Sequence, residues 1–303
     1  MSESARPPGA APADRPVWVD GRLLRGAAAT LSLFDRGARD GEGLFETVRV
    51  EGGRAQSWER HLERLVLSAA ELGFPVPPAP AELARALEET LAAAGLADAA
   101  ARLTVTRGIP GGRPTRAGCW IDVEPLAARL WRGTRSGEAA AIVSSAPFEP
   151  GPLGRHKTTS RLAYHLARDE ARAAGADEAL LVSPAGEVLE GSCSNVFTVR
   201  DGRIRTPPLA RGILPGVMRA RVLARCAALG VPVREAAIDR AELERADEVF
   251  LTSALQGVVP LATLAGRRLP ARDLGRRLLE ACRAERVAGG GTASPVPGDP
   301  NGR

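Results

Sequence analysis

The chain has 303 residues, 44% of them hydrophobic and 25% charged, with 41 basic side chains against 36 acidic ones and a formal net charge of +5. That apolar fraction excludes a wholly disordered chain, and the length allows one large domain or two ordinary ones, each with its own core. The arginines are scattered among glutamates and aspartates and aromatics are only 4%, so the positive balance reads as a solvated cationic surface and not as a nucleic-acid stripe.

In chain order, residues 1–16 form a Pro/Ala-rich tail without an apolar signal region, and no run of about 18 uncharged apolar residues follows anywhere. Cys119, Cys193, Cys226 and Cys282 lie far apart, and the three histidines do not cluster, so neither a disulfide framework nor a zinc site is indicated. The expectation is a reduced, soluble, cytoplasmic protein with no membrane partner. VWVDGRLL predicts a hairpin turning at Asp20-Gly21, and LFETVRVEGGRAQ a second one turning at Gly52-Gly53. Trp58, Leu62, Leu65, Val66, Ala69 and Leu72 recur at helical spacing, with Gly73 as the stop; Leu83, Leu87 and Leu91 repeat the pattern up to Gly95. RLTVTRG, CWIDVEPL and AAAIVSSAPF read as strands.

A Pro/Gly-rich loop, residues 148–155, is the expected link between an N-terminal α+β domain, 17–147, and a C-terminal domain, 156–287. The second half predicts a helix from Ser160 to Ala174, the strands EALLV, EVLEG, SNVFTV and RIRTPPL, and a helix from Pro215 to Leu229. Further strands follow at Val231 to Val233, DEVFLTS and GVVPLATLAG, and a last helix runs from Ala271 to Arg286. Residues 288–303 form a second tail. The fold class is α+β in two domains, and sites often lie between such domains.

Lys157 is the only lysine; every other cation is an arginine. A guanidinium stays protonated at any usable pH, whereas a desolvated amine can lose its proton and attack a carbonyl, so a lone lysine marks a place where the amine itself is needed. The bland alternative is a surface lysine that survived by chance. GPLGRHKT imitates a phosphate loop, but His156 stands where the backbone-wrapping glycine should be, and no nucleophile elbow is present. The alternative use is an amine serving pyridoxal phosphate. It needs a carboxylate for the pyridine nitrogen, for which Glu190 is a candidate, and amides at a helix start for the phosphate, for which Val217 and Met218 after Gly216 are candidates. Position alone also admits a strand-end carboxylate facing water and an ordinary helix start.

The strings FDRGARDGEGLFETVRV, WERHLERL, HKTTSR, ADEALLVSPAGEVLEGSCSNVF, TPPLARGILPGVMR and ADEVFLTSALQGVVPL resemble the class IV aminotransferase family, over about residues 17–270. The resemblance implies the two-domain fold type IV of pyridoxal 5′-phosphate enzymes, the cofactor between the domains, a small-molecule amino substrate and a homodimer. It assigns Lys157 as the Schiff-base lysine, Glu190 as the pyridinium partner and Arg64 as the phosphate arginine. Val217 and Met218 match the phosphate amides, and Ser253 with Ala254 a second phosphate-side turn, where some relatives carry a threonine in place of Ala254. Thr47, in the FET segment, is a candidate proton-handling hydroxyl.

Within the family, Phe45 stands where D-amino-acid transaminases carry tyrosine, and Leu162 where branched-chain enzymes carry one. TVTRGIPGGR, Arg161, GILPGVMR and SALQGVVPL are similar to aminodeoxychorismate lyase, although the loop continues GGRPT where lyases often read GGRGY. The expected activity is therefore release of pyruvate and 4-aminobenzoate from 4-amino-4-deoxychorismate, a folate-biosynthesis step, with Arg107 and Arg161 as substrate-binding residues. The alternative is a transaminase of branched-chain or D-amino acids using 2-oxoglutarate. A non-catalytic basic binding protein is the reading from a different class.

Overall fold

The computed structural model describes residues 14–111, 118–131 and 138–288; most of both expected tails, and residues 112–117 of the glycine-rich loop, lie outside them. The first part is an antiparallel sheet ordered β2-β1-β6-β5-β3-β4, built from β1 (Pro16–Val19), β2 (Arg22–Arg25), β3 (Gly43–Glu51), β4 (Arg54–Ala55), β5 (Ala99–Thr106) and β6 (Cys119–Pro125). The β1–β2 turn holds Asp20 at φ 49° and Gly21 at φ 91°, the left-handed pair that a tight hairpin requires and that Asp-Gly adopts at low cost. A short helix α1 (Arg36–Asp40) precedes β3, and α2 (Trp58–Glu71) and α3 (Pro80–Ala94) pack on one face of the sheet.

Along β3 the side chains alternate. Leu44, Val48 and Val50 enter the core with Leu62 and Leu65 of α2 and with Leu83 and Leu87 of α3. Each such fully buried side chain contributes roughly 1.5–3 kcal/mol. Phe45, Thr47 and Arg49 point to the opposite face, where Arg49 donates to the Leu255 carbonyl at 2.5 Å and so ties the two halves together.

The larger sheet runs β12-β11-β10-β14-β15-β7-β8-β9-β13, with β16 beside β15. Its strands are β7 (Ala139–Val143), β8 (Glu178–Val182), β9 (Glu187–Gly191), β10 (Asn195–Arg200), β11 (Arg203–Thr206), β12 (Val233–Glu235), β13 (Ile238–Asp239), β14 (Glu248–Ser253), β15 (Gly257–Leu264) and β16 (Arg267–Arg268). Helix α4 (Leu162–Ala173) belongs to a core with Leu181, Leu189 and Ile213. Helices α5 (Val217–Ala228) and α7 (Asp273–Ala288) enclose Phe197 and Phe250, whose rings stack at 4.8 Å. A short α6 (Arg240–Glu244) opens with a reciprocal cap between Asp239 and Glu242.

The strand AAAIV departs from the expected division of the chain. As β7 it pairs in parallel with β8 and β15, so it belongs to the larger sheet. The chain changes sheets between β6 and β7, not at residues 148–155. The physical reason is that parallel partners are far away in sequence and leave no local turn signal.

A second crossing carries the lysine. The Phe45 N–H donates to the Lys157 carbonyl at 2.9 Å and the Thr159 N–H to the Gly43 carbonyl at 2.8 Å, so the segment from 157 to 159 lies along the start of β3. The hydroxyls of Thr159 and Ser160 both donate to the Gly41 carbonyl, at 2.8 and 3.0 Å.

Candidate active site

Between the sheets lies a cavity of about 190 Å³ lined by residues from both. Lys157 is half-buried and opens into it, with Nζ 4.7 Å from the centre of the Phe45 ring. Desolvation, then the positive charges of Arg161 and Arg64, bring its ammonium down from 10.5 to about 7. At neutral pH a large share of Lys157 is therefore free amine.

Glu190, next to last in β9, also lines the cavity; it is only 3% exposed, and burial pushes its carboxyl up to about 7. Its oxygens are held by the Leu214 N–H at 3.2 Å, the Tyr164 hydroxyl at 3.4 Å and Asn195 Nδ2 at 3.5 Å. The turn that follows wraps around buried Glu178, which accepts from the N–H groups of Ser192 and Cys193 at 3.0 and 3.1 Å and from the Ser194 hydroxyl at 2.8 Å. One internal carboxylate thus fixes the turn that separates Glu190 from Asn195.

Arg64, on α2, reaches the cavity held by a two-pronged pairing with Glu46: Nε to Oε1 at 2.8 Å and Nη2 to Oε2 at 2.6 Å. Its Nη1 donates to the Pro215 carbonyl at 2.9 Å, across to the second part of the chain. Glu46 also lies 2.7 Å from His61 Nδ1. Burial alone would raise the Glu46 carboxyl, but Arg64 and His61 outweigh it and hold it at about 2.

Val217 and Met218 open α5 behind Gly216, and all three residues line the cavity. No side chain caps this helix start, so the donor end is available to an anion. A Cβ on residue 216 would run into Asn195 Oδ1, which explains the glycine by close approach and not by φ. On the other turn, Ser253 and Ala254 are lining residues; the Gln256 N–H donates to the Ser253 hydroxyl at 3.1 Å. Thr252 lines the cavity too, and its buried hydroxyl has no protein partner. An arginine, an uncapped helix start, a reactive amine and a buried carboxylate make a donor set that fits pyridoxal phosphate.

Thr47 and Arg161 line the cavity as well. Arg107 does not: its guanidinium is occupied by Glu42 at 3.3 Å and the Gly73 carbonyl at 3.3 Å, outside the cavity wall. Arg102, Arg129 and Arg168 line it instead, and sequence reasoning passed over all three. Arg102 stacks 3.8 Å over Phe45 and donates to Thr104 at 3.3 Å. Glu46, Tyr164, Glu178 and Asn195 were also missed. Among the described residues no group of acidic, histidine and cysteine side chains is arranged to hold a metal ion, and no helix is long and apolar enough to cross a membrane.

A family model described as amino-transferase class IV matches residues 43–264. The chain is 31% identical to a putative branched-chain-amino-acid aminotransferase of Methanocaldococcus jannaschii, over 86% of this chain and 91% of that protein. It is 30% identical to the D-alanine aminotransferase of Bacillus licheniformis, over 84% and 89% respectively. The pyridoxal-phosphate-bound form of a hypothetical aminotransferase from Mycobacterium tuberculosis superposes with a TM-score of 0.80 at 30% identity, covering 90% of this chain and 99% of that one.

Proposed function

The chain belongs to the class IV aminotransferases, fold type IV enzymes that use pyridoxal phosphate, and from that premise we propose that it transfers an amino group from an apolar amino acid to 2-oxoglutarate, as a cytoplasmic homodimer. One observation carries the reading: the only lysine opens into a cavity between the sheets with its amine brought to about 7, alongside Glu190, Arg64 and the uncapped start of α5. Phe45, Trp131 and Leu255 give that cavity apolar walls suited to an apolar side chain.

Glu190 would hold the cofactor's ring nitrogen, and Arg64 with the N–H groups of Val217 and Met218 its phosphate. Bound there, pyridoxal phosphate supplies an aldehyde for the amine and an electron sink for bond breaking at the amino acid's α-carbon. Lys157, half-deprotonated near neutrality, would provide the amine for that aldehyde, and Nζ is the base placed to take the α-proton. Arg102 and Arg161 supply planar guanidinium groups for the substrate carboxylates. Ser253, Ala254 and Thr47 form wall around the reacting groups. Exposed Leu33, Phe34, Leu162 and Leu166 are apolar surface consistent with a second copy of the chain, and four cysteines held as thiols with a reducing compartment.

The transaminase takes the place of the expected lyase. Arg107, on which that expectation leaned, stands outside the cavity, and the relatives named above are aminotransferases. The test supplies L-leucine or D-alanine with 2-oxoglutarate and, separately, 4-amino-4-deoxychorismate. Glutamate formation with either donor is the expected result and fixes the handedness; 4-aminobenzoate without glutamate would overturn it.

A further inference from the structure

Tyr164 is the only tyrosine in the chain, and it stands in the first turn of α4, seven residues past Lys157. Three contacts determine its position. The Arg161 guanidinium lies 3.8 Å over its ring, and Phe148 meets it edge-on with centroids 4.8 Å apart. Its hydroxyl donates to Glu190 Oε1 at 3.4 Å. The other carboxylate oxygen, Oε2, takes the Leu214 N–H and Asn195 Nδ2. We propose that Tyr164, clamped between Arg161 and Phe148, is a positioning residue that aims the Glu190 carboxylate and keeps it ionised for the ring nitrogen of the cofactor.

The proposal rests on the functional reading above and deepens it. A buried carboxylate reverts to its neutral form unless donors and cations oppose the desolvation. The charged and titratable groups facing Glu190 are Lys157, Arg161 and Tyr164, and the fixed donors are Asn195 and the Leu214 amide. Burial and the neighbouring Glu190 push the Tyr164 hydroxyl up, so it keeps its proton across the working pH range and is always a donor. Arg161 is itself fixed by donating to the Ser192 carbonyl at 2.7 Å, which links this clamp to the turn wrapped around Glu178. A neutral Glu190 has no negative charge with which to hold a protonated ring nitrogen, so loss of the hydroxyl should be felt in the cofactor before it is felt in the substrate.

Tyr164→Phe removes the hydroxyl and leaves the ring, its stacking partner and its edge contact in place. The holoenzyme is titrated by its visible absorption, and the apoprotein is reconstituted with pyridoxal phosphate to obtain Kd, in wild type, Y164F, Glu190→Gln and the double variant. A hydrogen bond to a charged group predicts about tenfold weaker cofactor binding, the acid limb of the kcat profile moved up by about one pH unit, and KM for the amino donor nearly unchanged. In the E190Q background, Y164F is expected to add nothing to Kd, because its effect passes through the carboxylate. A Kd and spectral titration superimposable on wild type would overturn the proposal alone, as would an equal loss in both backgrounds. Wild-type protein that takes up no pyridoxal phosphate would overturn the functional reading and this inference with it.

Discussion

Replacing Glu46 by glutamine is the sharpest probe of the site's foundations. The side chain is 1% exposed and takes two charge-assisted hydrogen bonds from Arg64, whose own side chain is 11% exposed, beside the contact with His61. The fall of its carboxyl from 4.5 to about 2 corresponds to ~3 kcal/mol of folding stability at neutral pH. Removing one partner of a buried pair, at roughly 3–5 kcal/mol, gives the same scale. A carboxyl lowered in the folded state adds stability that is complete above its unfolded value near 4.5 and is lost as pH falls through about 2. The deficit of E46Q against wild type should therefore be ~3 kcal/mol at pH 7 and shrink to ~1.4 kcal/mol at pH 3. Urea unfolding of the apoproteins at both pH values, followed by tryptophan fluorescence, measures it. A deficit of the same size at both would show that shape and not charge is lost, and no deficit would refute the pairing argument outright.

The amine gives the same pH sign in a higher window, but here it is the charged form that burial penalises. Between about 7 and 10.5 the unfolded lysine binds a proton that the folded one does not, so wild-type apoprotein should gain stability as pH rises through that window. Lys157→Met apoprotein should accordingly melt above wild type at pH 6, with the gap closing by pH 10.5 in calorimetry. Gly216→Ala forces a methyl into Asn195 and should cost about 1–3 kcal/mol together with a marked loss of cofactor affinity, read by thermal melts and reconstitution. Arg102→Leu should raise KM for 2-oxoglutarate at least tenfold while pyruvate, with one carboxylate, suffers less; equal effects on both would remove Arg102 from the distal carboxylate. Light scattering should give twice the chain mass, and Leu162→Asp with Leu166→Asp should halve it if α4 lies in the contact between copies.

The helices were legible because each carries its own periodic stripe and its own stop: the predicted spans over α2, α3, α4 and α5 agree with the structure to within about two residues. Lys157 stood out by being unique, and Tyr164 was equally unique but went unread. Glu46 left a clear trace. It occupies the same alternating face as Leu44, Val48 and Val50, and a carboxylate on a wholly buried face must have partners. Helix spacing likewise sets His61 and Arg64 three residues apart on one face of α2, a signal of a shared acceptor that went unread. The assignment of β7 and the exclusion of Arg107 from the cavity were not legible, since both depend on non-local pairing that no window of sequence contains.

The segment that carries the lysine is bonded along the first strand of the opposite half, and this has a consequence for how the molecule matures. Neither half alone can place the amine: one lacks the residue, and the other lacks the strand edge against which residues 157–159 are laid. Competence for chemistry thus arrives only when the two sheets have docked, so colour gained on adding cofactor during refolding should lag the recovery of secondary structure and report the completion of tertiary assembly.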